Sequence, residues 1–411
     1  MPSPPPFARW LDETNDVTQV FLAAGQVPDL VNLAGGLPEP ALWPVDALAD
    51  LAARAVREHP KEALGYPPID GLPALRDAIA ARFSTVDLRL GRENVLITTG
   101  GMQGLELIGK VLLDEGDVIA AQTPAYLGAL DAWRPRGPRY RPVRMEEEAP
   151  DLPYLMRGAK FTYTVPNFSN PTGRLVSVAR RQALVKAAQE TGVWLVEDDP
   201  YGALYYDCGP LPRMLDLCGG APYAGPVIYL GTLSKELAPG LRVGWVIAAP
   251  EMIAALTTAK QGSDMCTSGL SQQVACMAFE TGLCEQVLPD ILSLYRARRD
   301  ALCAAMAEHL DALFEWEVPT GGMFVWARAR DARLDTDLLM REGLAHGVCV
   351  SPSSVFDPEG RDRAAVRINF TLNPPDSLAE GVRRLAAASR AVLGRSQAAG
   401  QDRSPQAMIE Q

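Results

Sequence analysis

A lysine set directly after a buried strand is a candidate nucleophilic amine, and Lys235 stands there, behind the apolar run Val227, Ile228, Tyr229 and Leu230. Partial desolvation beyond a strand end favours the reactive neutral amine, although most lysines are solvated surface charges. Strand Val193–Glu197 ends in the acids Glu197, Asp198 and Asp199. Asp198 is the candidate partner for a cationic ring nitrogen, while surface exposure is the ordinary explanation of the other two. Strand Asn94–Thr98 runs into Gly100, Gly101, Met102, Gln103 and Gly104 and then an amphipathic helix. Free backbone N–H groups at a helix start behind a glycine turn form an anion cradle; the same pattern also serves as a plain strand-to-helix turn. Its spacing is not G-x-G-x-x-G, which argues against a nicotinamide site. After strand Lys160–Thr164 a loop carries Asn167 and Asn170 ahead of Pro171, Thr172 and Gly173. Asn-Pro initiates turns, and this one places its amide at the same sheet edge.

The elements that must position these groups alternate between the two periodicities. Strands are expected at Asn94–Thr98, Asp117–Ala121, Lys160–Thr164, Val193–Glu197 and Val227–Leu230, with helices at Met102–Leu113 and Val178–Thr191. Such alternation implies an α/β fold, a mostly parallel central sheet with helices on both faces, and reactive groups collect beyond the strand C-termini of such sheets. From Cys284 a long helix to Leu310 leads into strand-like Gly322–Arg328, a helix near Asp335–His346, strand-like Val348–Ser351 and Ala365–Thr371, and a last helix Leu378–Leu393. This reads as a smaller α+β domain. The expected division is an N-terminal segment at 1–45 belonging to the small domain, a large domain at 46–285, a small domain at 286–393 and a polar, disordered tail at 394–411.

Composition narrows the function. The 411 residues are 47% hydrophobic and 22% charged, enough for two domains of ordinary size. A net charge of −11 with scattered lysines and arginines gives no footprint for nucleic acid or an anionic membrane. The N-terminal stretch lacks the charged and apolar regions of a secretory signal, so a cytoplasmic enzyme is expected. Seven cysteines without a Cys-x-x-Cys pair suit reduced, mostly core thiols. The three histidines, His59, His309 and His346, show no metal-ligand spacing, so no metal site is expected.

A lysine, a phosphate cradle, a carboxylate for a pyridinium and a donor for a ring oxygen are together what pyridoxal 5′-phosphate requires. Here the chain resembles the class I/II aminotransferases of fold type I, and most closely the branch with the 2-aminoadipate and kynurenine aminotransferases. The likeness covers roughly residues 15 to 395. It rests on Asn32–Pro38, Leu64–Pro67, Asn170–Gly173, Glu197–Tyr201, Ser234-Lys235, Gly240–Gly244 and Val366–Ile368, in that order.

The resemblance implies roles. Lys235 is the Schiff-base lysine and then the acid and base that moves the substrate proton. Asp198 keeps the pyridine nitrogen protonated. Asn170 and Tyr201 bond the ring oxygen, and Tyr126 stacks on the ring. Gly101, Met102, Gln103, Ser234 and Arg242 hold the phosphate, joined by Tyr66 from the partner of a homodimer. Arg367 binds the substrate α-carboxylate, as an arginine fork suits, although alone it reads as a strand-edge surface residue, and Gly36 lies beside the substrate. Carboxylate binding could also draw the domains together. The implied substrates are an L-amino acid and a 2-oxo acid, used in a ping-pong transamination.

Substrate choice stays open. Relatives that favour a distal carboxylate often carry an arginine before the Ala34–Pro38 turn, where this chain has Gln19 at about that position; Arg174 offers another charge. Aminoadipate-like, aromatic and neutral side chains all remain candidates, because a distal carboxylate without a cation would be partly unpaired. The same residues also serve a lyase, decarboxylase or racemase. A non-catalytic regulator needs a DNA-binding module ahead of the domain, and only about 30 residues precede Asn32, short of a typical domain.

Overall fold

The computed structural model describes residues 7–13, 28–145 and 151–401. Gln19 lies outside them, as do residues 402–411 of the expected tail. The chain divides into two compact units. One takes the described residues of Met1–Glu39, Pro171–Gly173 and Leu294–Gln411, and the other takes those of Pro40–Asn170 and Arg174–Ser293. The break at 293/294 falls inside helix Leu283–His309, where the sequence reading places it at 285/286; the first break falls at 39/40 rather than 45/46.

The larger unit is built on a seven-stranded sheet: Val95–Thr98 (β1), Val118–Gln122 (β2), Arg139–Val143 (β3), Phe161–Thr164 (β4), Trp194–Asp198 (β5), Val227–Thr232 (β6) and Gly244–Ile247 (β7). Their order across the sheet is β1-β7-β6-β5-β4-β2-β3. The sheet is parallel except at β7, which runs against both neighbours. Strands β1, β4, β6 and β7 are buried throughout, as strands covered on both faces should be. Strands β3 and β7 add to those expected from the sequence, the first being interrupted by polar residues and the second opening on glycine.

Because the two reversals at β7 cancel, the C-termini of β1, β2, β4, β5 and β6 share one edge. Gly100–Met102, Tyr126, Asn170, Tyr201 and Lys235 all follow those ends, in the crevice position of an open α/β sheet. The helix after β1, Gly101–Leu112, starts behind Gly100 at φ +78°, a conformation that glycine tolerates and other residues resist. Helix Val178–Thr191 is capped by the Ser177 side chain and closed by Gly192 at φ +68°.

The smaller unit carries Phe314–Trp316 (β8), Phe324–Ala329 (β9), Ser351–Pro352 (β10) and Ala365–Asn369 (β11), paired antiparallel in the order β10-β11-β9-β8. In the same unit Val31–Asn32 pairs in parallel with Val348–Cys349. The last helix runs Pro375–Gln401, so 394–401 continue it rather than starting a disordered tail; good helix formers such as Arg395, Gln397, Ala398 and Ala399 favour that continuation. Among the described residues no helix is long and apolar enough to cross a membrane, and no group of metal-ligating side chains gathers. Cys276, Cys284 and Cys349 are buried, whereas Cys208 is exposed.

Candidate active site

The acidic end of β5 is entirely interior. Glu197 is 0% exposed, and Asp198 and Asp199 are nearly as inaccessible, which overturns the expectation of surface positions for Glu197 and Asp199. Each has a distinct occupation. Glu197 accepts the backbone N–H groups of Met214 and Leu215 at 2.8 and 2.9 Å, anchoring the helix Met214–Cys218, and burial pushes it up to about 7. Asp199 accepts from Asn167 Nδ2 at 2.8 Å and from Tyr229 OH at 3.0 Å, and burial raises it as well.

Asp198 differs in kind. Its hydrogen-bond partner among the described residues is the neutral Tyr163 hydroxyl, 2.8 Å away, and the charge that acts on it is the carboxylate of Asp199. Burial, with Asp199 adding to it, pushes Asp198 up to about 7 against the pull of the Tyr163 hydrogen bond. A buried carboxylate in that state calls for a cationic N–H donor, and a protonated pyridine nitrogen is such a donor. Tyr163 lies on β4, the strand beside β5, and nothing local in the sequence distinguishes it from a core aromatic.

Around the cradle the two glycines and their neighbours pack on bare backbone. Gly244 pairs with Thr98 on one side and Thr232 on the other. A Cβ on Gly244 would come within 2.8 Å of Gly100 C, 2.9 Å of Gly101 N and 3.0 Å of Gly231 O. The missing side chain therefore lets the turns after β1 and β6 close on the same spot. The Arg242 guanidinium fills the space where a Gly100 side chain would stand and donates to Pro239 O at 3.2 Å and Thr99 O at 3.4 Å. Ser234 Oγ lies 2.9 Å from Thr232 Oγ1, whose oxygen also accepts the Ser234 N–H. A glycine turn, a helix start, a hydroxyl and a guanidinium fit a phosphate.

Gln103 is placed otherwise than the sequence reading implies. Its N–H closes the turn onto Gly100 O at 3.2 Å, and its Oε1 accepts from Thr99 N at 2.8 Å and Lys260 Nζ at 2.9 Å. Tyr126, ahead of helix Leu127–Trp133, donates to Met102 Sδ at 3.7 Å, which ties the residue after β2 to the cradle. Asn170 Nδ2 lies 3.5 Å from Tyr201 OH, both side chains buried. Lys235 is half-buried on the loop after β6. Tyr66, by contrast, is 89% exposed.

In the smaller unit Arg367 is only 8% exposed on a strand paired on both sides, not at a strand edge on the surface. Its guanidinium lies between two rings, 4.4 Å from the Phe324 centroid and 4.8 Å from that of Phe356. It donates to Ala34 O and, at 3.2 Å, to Ser351 Oγ. Asn32 shapes the adjoining turn, its Oδ1 accepting from Ala34 N at 3.0 Å and Gly35 N at 3.2 Å. At Gly36 a Cβ would reach 2.9 Å from the Phe324 ring, so the turn and the ring require each other's shape.

Comparison with known proteins agrees with this geometry. The family model described as aminotransferase class I and II matches residues 28–385. The 2-aminoadipate transaminase of Thermus thermophilus is 38% identical over 378 residues, covering 91% of this chain and 93% of that protein. The aromatic-amino-acid aminotransferase 1 of Thermococcus litoralis is 34% identical over 372 residues, 88% of each chain. Among solved structures, the α-aminoadipate aminotransferase LysN of Thermus thermophilus, complexed with N-(5′-phosphopyridoxyl)-L-leucine, superposes with a TM-score of 0.85 at 35% identity, covering 94% of this chain and 98% of that one.

Proposed function

The chain belongs to the class I and II aminotransferases, and within that family we propose that it carries pyridoxal 5′-phosphate at Lys235 and uses it on an L-amino acid with an aminoadipate-like or aromatic side chain. Asp198 carries this reading, a buried carboxylate whose neighbours are a hydroxyl and a second carboxylate. When bound, the cofactor supplies an electron-withdrawing ring that stabilises the negative charge left on the substrate Cα.

The protein's side chains do the rest. Asp198 holds the proton on the ring nitrogen through a charge-assisted hydrogen bond, and Tyr163 keeps that carboxylate aimed. Lys235 Nζ would hold the cofactor and, once released by the substrate, would take up the substrate Cα proton and hold it for return, work of general acid–base type worth ~10²–10⁴ in rate. Asn170 and Tyr201 supply donors for the ring oxygen, and Tyr126 covers the ring. Gly101 and Met102 offer backbone N–H groups to the phosphate, with Ser234 and Arg242. Gln103 supports this cradle from behind. Arg367 grips the substrate carboxylate in a fork held flat by Phe324 and Phe356, next to the turn at Gly36.

We assign Tyr66 to the phosphate of a second copy: a tyrosine 89% exposed suits a role across an interface. The working enzyme is then a homodimer in the cytoplasm. Names of the relatives, which cover an acidic and an aromatic substrate, support both side-chain classes.

The decisive test is the visible spectrum of the loaded enzyme against a panel of single amino acids, with products identified by mass spectrometry. Bleaching of the yellow form with one equivalent of 2-oxo acid supports transamination and names the donor. Recovery of the colour with amine, ammonia or racemised amino acid accumulating would instead point to decarboxylation, lysis or racemisation.

A further inference from the structure

We propose that Lys260 is a positioning residue for the phosphate cradle, locking both ends of the Gly100–Met102 turn from behind. The inference rests on the reading that this turn takes the cofactor phosphate. Lys260 lies on helix Pro250–Gln261, its side chain 0% exposed. A fully buried ammonium is costly unless it is paired and bonded, and nothing in the reaction described above uses it.

Its bonds lead to the cradle. Lys260 Nζ donates to Gln103 Oε1 at 2.9 Å and to Asp264 Oδ1 at 2.5 Å. The same Gln103 oxygen accepts the Thr99 N–H at 2.8 Å. The other Asp264 oxygen accepts from Thr99 Oγ1 at 2.8 Å, and that hydroxyl also lies 3.1 Å from Thr267 Oγ1. Thr99 and Gln103, which flank the turn, are thus both tied to one buried ion pair, and the Gln103 N–H closes the loop onto Gly100 O. Burial pushes Lys260 below its ordinary value while Asp264 pulls it back; against the upward push of burial on Asp264, the bonds from Lys260, Gln103 and Thr99 hold that carboxyl low. The pair is close to neutral, so its effect on a phosphate is through geometry: it fixes where the N–H groups of Gly101 and Met102 point. Preorganised donors bind without the cost of being ordered on contact.

Cofactor-free wild type, Lys260→Met and Thr99→Val proteins are titrated with pyridoxal 5′-phosphate and, separately, with pyridoxal, which lacks the phosphate, following intrinsic fluorescence. Loss of a hydrogen bond to a charged group predicts about a tenfold or greater fall in affinity for the phosphate form in Lys260→Met, with pyridoxal affinity unchanged, so the ratio of the two affinities collapses. Thr99→Val, which removes one arm of the network, lowers the same ratio by a smaller factor, and it decides the matter if Lys260→Met does not fold. An equal loss for both ligands, or an unchanged ratio in both variants, would overturn the inference. A wild type that binds the two ligands equally would overturn the phosphate reading itself, and this inference with it.

Discussion

Tyr163 and Asp198 meet across the adjacent parallel strands β4 and β5, hydroxyl to Oδ2 at 2.8 Å, at a level in the sheet where both side chains are buried. The tyrosine satisfies one lone pair of the carboxylate and leaves its charge uncompensated, so the pair is prepared for a cation. Replacement of Asp198 by Asn retains the shape and removes the charge. Loss of a charge-assisted bond of ~1.5–3 kcal/mol predicts a half-reaction slowed roughly ten- to hundredfold or more while cofactor is still bound. Single-turnover absorbance with the preferred amino acid checks it; an undiminished rate would remove Asp198 from the mechanism.

The same burial makes the stability of the cofactor-free protein depend on pH. Glu197 and Asp198 are both pushed up to about 7 in the fold, chiefly by desolvation, whereas unfolded carboxyls titrate near about 4. The folded chain therefore binds more protons in between. The stabilisation these groups give is fully present below about pH 4 and is lost as pH rises through about 7. In Asp198→Asn one of the two groups is gone, so the Tm of wild type minus that of the variant should decrease from about pH 5 to about pH 8. A flat difference would show that Asp198 titrates in its ordinary range.

For Arg367, the flanking Phe324 and Phe356 rings fix the plane of the guanidinium. Lysine keeps the charge but neither stacks as well nor forms a fork. Arg367→Lys should raise the KM for the amino acid about ten- to hundredfold, in line with ~1.5–3 kcal/mol for the lost charged hydrogen bond, with cofactor affinity unaltered. Steady-state kinetics beside a cofactor titration separates the two; an unchanged KM contradicts the carboxylate role.

Gly100 should tolerate no side chain. Its φ of +78° and ψ of 170° fall in a region that is essentially reserved for glycine, and a Cβ would collide with the Arg242 guanidinium. Gly100→Ala is expected to cost ~1–3 kcal/mol of stability and to weaken cofactor binding by displacing Arg242. Calorimetry and a cofactor titration report the two effects; wild-type values for both would mean the turn readily adopts another path.

Several parts of this protein were legible in the residues alone. Runs rich in β-branched and aromatic residues, bounded by glycine and proline, announced β1, β4, β5 and β6, and the residues at or just beyond their ends, Gly101, Asn170, Asp198 and Lys235, announced a site, because strand periodicity and turn chemistry act between near neighbours in the chain. Relatives with the same ordered motifs made the family recognisable for the same reason. Other features depended on the folded chain. Glu197 and Asp199 look like surface acids until helix Met214–Cys218 and Tyr229 close over them. Arg367 looks like a strand-edge residue until Phe324 and Phe356 enclose it. Lys260 looks like any helix lysine until it meets Gln103, 157 positions earlier. Residue type and spacing determined which elements form and which groups their ends present. Burial, pairing and protonation were decided only in the tertiary structure, since each depends on the dielectric surroundings and donors that distant segments bring to a group, and these exist only once the chain has closed on itself.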